Sequence, residues 1–182
     1  TVSLSASPPD LQMDLIDPRA ARGPWTGIDV TLVQPHSRGV VRVRSADPNA
    51  APAVDAPALA DAVDVRALVQ GVRLARLVME GTALDRLRTV ERDDTRGTSS
   101  QAALESLVRA VARETSAAAG TCPLGPEGDR AAVVDAQLAV LGVGGLYVAG
   151  TAVMPSVVNA PPDAAALMTG DRAADGLARG RA

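Results

Sequence analysis

Phenylalanine is absent from this chain of 182 residues, and Trp25 and Tyr147 are its only aromatic side chains. Lysine is absent too. All 18 basic residues are arginine, which reads as the bias of a GC-rich genome more than as chemistry. Cys122 is the single cysteine and His36 the single histidine. One thiol excludes an internal disulfide and a cysteine-based zinc site, no metal is expected, and the default setting is a reducing, cytoplasmic one. No apolar run reaches the roughly 18–20 residues that span a bilayer. The opening TVSLSASPPDLQ is too polar and proline-rich for a secretory signal. The net charge is only −3, with Arg interspersed among Asp and Glu, and no basic stripe carries interleaved aromatics. A nucleic-acid partner is therefore not expected.

What is present is small and aliphatic. Hydrophobic residues make up 47% of the chain, enough to exclude disorder, and its length suits about one domain. A core of Ala, Val and Leu buries less area per residue than one with aromatics, which favours a domain supported by a larger neighbour. The chain begins at Thr1 and enters strand-like sequence almost at once. The expectation is a processed or partial chain, not a complete protein.

The first third alternates as strands do, over residues 10–17, 27–34 and 39–45, with the turn PHSRG between the last two. Residues 46–58 are rich in Pro, Ala and Asp and read as an irregular but ordered connection. From Leu59 to Glu80, Val65, Leu68, Val69, Val72, Ala75, Val78 and Met79 recur at helical spacing. Asp61 and Asp64 lie in its first turns, where carboxylates suit the helix dipole. After the charged loop 91–98, Ser99 or Ser100 caps a second helix running through Leu104, Leu107, Val108 and Val111 to about Thr115. Two short strands are expected in VVDAQLAVLG and LYVAG. A final helix is expected from about Asp163 to Leu177, with Pro161 and Pro162 at its mouth. The whole is an α+β chain without internal repeats.

Six strings carry more information than the periodicity: SPPDLQMDL, QPHSRGVVRVRSADP, PAVDAPALADAVDVRALVQGVRLAR, GTCPLG, AVVDAQLAVLGVGGLYVAGTAVMP and ALMTGDRAADGLARG. In this order and spacing, over nearly the whole chain, they resemble the C-terminal portion of a glucose–methanol–choline (GMC) oxidoreductase. The resemblance implies FAD as cofactor and an antiparallel-rich sheet backed by helices for a substrate-binding portion over residues 1–119. Residues 120–182 would supply the C-terminal strands and helix that complete an FAD-binding domain. The family's GxGxxG turn, whose helix dipole holds the pyrophosphate, is missing here, since GVGGLYVAG lies too late. The resemblance therefore implies a companion chain with the N-terminal FAD-binding fold, and a small-molecule substrate.

The loop AGTAVMP, with Gly150 and Thr151, would pass close to the cofactor. The final helix opens at Pro162, Asp163 and Ala164. Because Pro162 has no N–H, Asp163 and Ala164 would present theirs to the flavin N1–C2=O edge. The family's catalytic His and its later His or Asn fall, without gaps, on Ala117 and Pro161, and an aspartate common at the last strand's exit falls on Gly150. Neither Ala117 nor Pro161 moves a proton, so ordinary alcohol oxidation is impaired. A one-residue slip would bring Asn159 or Asp163 toward the second position. The implied protein is an FAD-dependent oxidoreductase of atypical chemistry; its rival is a GMC-derived binding module that has lost catalysis.

Four residues admit a second reading. His36 is a base or a surface turn residue, and its distance in sequence from the site segments favours the turn. Cys122 is reactive or simply small and buried. Asp163 is a substitute base or the cap of the final helix. Thr1 is a self-cleavage nucleophile or the result of a cut by another protease.

Overall fold

A computed structural model describes residues 10–16, 27–85, 91, 95–115 and 118–179. These fall into two compact units. One holds the described residues of Thr1–Arg38 with Pro57–Glu114, the other those of Gly39–Ala56 with Thr115–Ala182. The fold is α+β.

In the first unit, strand β1 (Leu11–Ile16) pairs antiparallel with β2 (Gly27–Leu32), from Leu11↔Leu32 to Ile16↔Gly27. Helix α1 (Ala62–Met79) packs on this ribbon at Gly71, where an added methyl would overlap the Val30 side chain. Helix α2 (Gln101–Val111) packs on α1. Their i, i+4 pairs Val65/Val69 and Leu104/Val108 form a buried cluster flanked by Leu59, Leu68, Val72 and Leu107.

Each helix start has a specific cause. The Asp61 carboxylate accepts the Val63 N–H at 2.8 Å, and the Ser100 hydroxyl accepts that of Ala103 at 3.2 Å. The cap at Asp61 moves the start of α1 later than the expected Leu59, which holds a positive φ of 56°. Helix α2 ends at Val111, short of the expected Thr115, because Ala112 leaves in an extended conformation with ψ 141°. Arg76 pins the charged loop after α1: its guanidinium donates to the carbonyls of Thr95 (2.9 Å) and Thr98 (2.5 Å) and pairs with Glu91 at 2.8 Å.

Asp64 does more than face a helix dipole. It is 1% exposed and accepts the N–H groups of His36 (2.7 Å) and Ser37 (2.8 Å) and the Ser37 hydroxyl (2.5 Å). The same hydroxyl accepts the Asp61 N–H at 3.0 Å. The PHSRG turn is thus bound to the first turn of α1.

In the second unit, strand β3 (Val40–Arg42) pairs antiparallel with β4 (Ala53–Asp55). The expected strand 39–45 is shorter than its pattern. The connection expected over 46–58 contains β4, reached through a turn in which the Asp47 carboxylate accepts the Asn49 N–H at 2.9 Å. The two strands expected in VVDAQLAVLG and LYVAG are not formed as ladders. They make single bridges, Val134↔Val140 and Ala139↔Tyr147. The Asp135 carboxylate takes the N–H groups of Gln137 (2.9 Å) and Ala139 (3.0 Å), and Leu138 adopts φ 67°, so the segment doubles back before a ladder can grow. Val134, Leu138 and Val153 are buried together, with Ala173 of helix α3 (Asp163–Ala178) packed against them.

Candidate flavin-facing site

The second unit brings together segments far apart in sequence. The N–H groups of Gly120, Cys122 and Leu124 donate to the carbonyls of Thr151 (3.1 Å), Ala152 (2.9 Å) and Val153 (2.9 Å). GTCPLG therefore runs alongside the single helical turn Thr151–Val153 of AGTAVMP. Gly120 has φ 78°, and a methyl there would stand 3.0 Å from the Met154 carbonyl, so glycine is required at this approach.

Gly150 opens the turn at φ 91° and ψ −159°, a region essentially closed to other residues. Its N–H donates to the Thr169 hydroxyl at 2.9 Å, which donates in turn to the Ala166 carbonyl at 2.8 Å. Gly150 thus contributes backbone shape, its N–H already being engaged. Thr169 was not legible as a site residue. Its only sequence signal is a hydroxyl on a helix whose other inward residues are Ala and Gly.

At the start of α3, Pro162 is buried and occupies the capping position, with no side-chain hydrogen bond. The first intrahelical bond runs from the Ala166 N–H to the Pro162 carbonyl at 2.8 Å, so the N–H groups of Asp163, Ala164 and Ala165 lie before it. This corrects the expectation that Asp163 caps the helix: it is the first helical residue, exposed, and Pro162 holds the cap position. An uncapped N-terminus keeps its partial positive charge available to an anion.

Beside α3 lies an apolar hollow of about 330 Å³, lined by Leu124, Leu138, Val153, Met154 and Pro155 with Thr169 and Arg172. Pro161 is exposed at the mouth of the helix and Asn159 is half-buried. Ala117 lies outside the described residues, as does Thr1. Cys122 is half-buried, not fully buried as its smallness suggested, and its N–H joins the pairing with Ala152. His36 is exposed and belongs to the first unit. Among the described residues, no three His, Cys, Asp or Glu gather as a metal site, and no helix is long and apolar enough to cross a membrane.

A backbone turn that opens at Gly150 thus lies in one unit with a helix start that has no side-chain cap. Residues 35–170 match the GMC oxidoreductase family, and the chain belongs to it. The family is one of oxidoreductases whose cofactor is FAD. An uncharacterized GMC-type oxidoreductase of Mycobacterium tuberculosis is 38% identical over 147 residues, 79% of this chain and 28% of that protein. An oxygen-dependent choline dehydrogenase of Rhizobium etli is 34% identical over 139 residues, 76% of this chain and 25% of its own length. A formate oxidase of Aspergillus oryzae, solved in connection with its FAD modification, superposes with a TM-score of 0.80 at 26% identity over 93% of this chain and 31% of that one. The chain thus spans about a quarter of the curated relatives it matches.

The residues present fit one edge of a flavin. The N–H groups of Asp163 and Ala164 stand at an open helix end, and the Cβ side of Gly150 has no atom within 4 Å. Nothing in the chain offers the glycine-rich pyrophosphate turn.

Proposed function

We propose that this chain supplies the flavin-ring and substrate side of an FAD-dependent GMC-type oxidoreductase, completed by a companion chain that carries the dinucleotide-binding fold. Residues 120–182, together with residues 39–56 of the same compact unit, complete the FAD-binding domain, and the rest of residues 1–119 belongs to the substrate-binding portion. The observation that supports this best is the pairing of Gly120, Cys122 and Leu124 with Thr151–Val153, fastened to α3 through Thr169.

Bound FAD supplies the acceptor for a hydride. The start of α3 favours negative charge at its mouth, which suits a reduced, anionic flavin. Gly150 and Thr151 shape the loop beside it, while Asp163 and Ala164 present backbone N–H groups. Aligned without gaps, the family's proton-transfer pair falls on Ala117 and Pro161, and these residues neither take nor give a proton. The substrate is therefore a small molecule whose reacting proton is already acidic, or whose proton passes to Asp163 or to a residue of the companion chain.

Pro161 and Ala117 also favour a second reading, in which the fold persists as a binding module without turnover. One experiment separates them: isolate the assembly and follow flavin absorbance under anaerobic conditions with a panel of alcohols, aldehydes and acidic carbon substrates. Bleaching of the oxidised flavin supports the enzyme. A flavin that binds but is reduced by none of them supports the module. An assembly that takes up no flavin under any reconstitution sinks the first reading.

A further inference from the structure

We propose that the face of the β3–β4 ribbon formed by Val41, Val43 and Val54 is a docking surface for the companion chain, an inference that rests on the reading above. The register Val41↔Val54 sets these two on one face, and Val43 follows one residue after the end of β3. These side chains are 51%, 87% and 67% exposed. The opposite face carries Val40, Arg42, Ala53 and Asp55. Such alternation belongs to a half-buried strand, yet here Val40, Arg42 and Asp55 of the opposite face are exposed as well, and the valine-only face is left open.

The ribbon is a specified element. Gly39 lies so close to the Asp55 carbonyl and to Ala56 that a side chain there would collide with both. The connecting turn is held by the Asp47 carboxylate and by the Ser45 hydroxyl, which accepts the Asp47 N–H at 3.0 Å. A two-stranded hairpin alone in water is marginally stable at best, and a layer against its apolar face is the usual remedy.

The occupant follows from what these residues leave out. The chain corresponds to 28% of the Mycobacterium tuberculosis relative, so the larger part of such a protein has to meet it somewhere. The ribbon shares its unit with the Gly150 turn and with α3, whose Leu167, Met168 and Leu177 are also more than half exposed. A second copy of this chain is a poor occupant. Three valines, two on three-residue strands and one just past β3, fall far short of the about 1,000 Å² that a specific interface needs. The ribbon works as one patch of a larger contact.

The test uses this chain, tagged and purified from its own host as a flavin-containing assembly, and hydrogen–deuterium exchange of that assembly against the chain alone. Amides of 39–45 and 52–56 are expected to exchange at least tenfold more slowly in the assembly. The double variant Val43→Lys/Val54→Lys, altered only at exposed positions, is expected to melt like the parent chain and to retain at least tenfold less flavin per chain on isolation. Unchanged ribbon exchange in an assembly that does hold flavin overturns the docking surface and leaves the enzyme reading standing. A chain that isolates alone and without flavin overturns both. A dimer of this chain that the double variant dissociates gives the face to a second copy and overturns the assignment.

Discussion

The Thr169 hydroxyl accepts the Gly150 N–H at 2.9 Å and hands its own proton to the Ala166 carbonyl at 2.8 Å. One side chain thus fastens the turn at the candidate flavin edge to the first two turns of α3, across nineteen residues of sequence. Thr169→Val keeps the shape and removes the acceptor. The expected loss is about 1 kcal/mol, the net worth of an ordinary hydrogen bond, together with faster exchange of the amides of residues 150–153. Thr169→Ser is expected to restore most of both. A Val variant with unaltered melting and exchange would show that the turn is held by something else.

Gly150 makes a sharper prediction, because its surroundings separate two sources of cost. Its φ of 91° and ψ of −159° are strained for any L side chain, yet a methyl there meets nothing within 4 Å. The penalty is therefore backbone strain alone, roughly 1–3 kcal/mol. Gly150→Ala and Gly150→Leu are expected to lower the urea midpoint equally. A cost that grows with side-chain size would contradict the open space beside this residue.

Asp64 predicts a pH dependence. Burial by itself raises its pKa, but hydrogen bonds from the Ser37 hydroxyl and from the N–H groups of His36 and Ser37, with the charge of His36, outweigh burial and hold it below the ordinary value. A carboxylate depressed in the folded state stabilises fully above its unfolded pKa of about 3.9, and loses that contribution as pH falls through the folded value. Asp64→Asn keeps the size but not the charge that three donors require. It is expected to cost about 1.5–3 kcal/mol at pH 7, the range for hydrogen bonds to a charged group. The gap between parent and variant in denaturant midpoint should be widest near neutral pH and narrow below about pH 4. A gap independent of pH would mean that Asp64 does not carry its charge in the fold.

Helical periodicity made α1, α2 and α3 legible, since Val65/Val69 and Leu104/Val108 repeat with the spacing of a buried stripe. β1 and β2 were legible from alternation. Where local side chains compete with the ladder, pattern failed. Asp135 captures two backbone N–H groups and folds back a segment that reads as strand. β4 was hidden because Ala53–Asp55 sits among prolines and pairs only through a long connection. At the candidate site, the order of motifs marked Gly150, Thr151 and the start of α3. Thr169 and Ser37 were not legible, because both act through long-range hydrogen bonds to backbone or carboxylate that leave no periodic trace. Asp64 was visible as a helix-dipole residue, but its partners in the PHSRG turn lie 27 and 28 positions earlier.

Gly71 decides between two opposing effects of one methyl group. In an exposed helix, replacing glycine by alanine gains about 0.8–1 kcal/mol of helix propensity. Gly71 is buried in α1 against the β1–β2 ribbon, where the added Cβ would overlap Val30 and stand 3.4 Å from the Leu11 side chain. Overpacking of this kind costs about 1–3 kcal/mol, so Gly71→Ala is expected to be net destabilising despite its better propensity. Trimming the neighbour tests the cause: in the double variant Gly71→Ala/Val30→Ala the collision is gone and the propensity gain remains. Its loss is expected to be smaller than the sum of the two single losses, by an interaction energy of about 0.5–3 kcal/mol. Additive losses, or a stabilised Gly71→Ala, would show that α1 stands farther from the ribbon than the packing at Val30 implies.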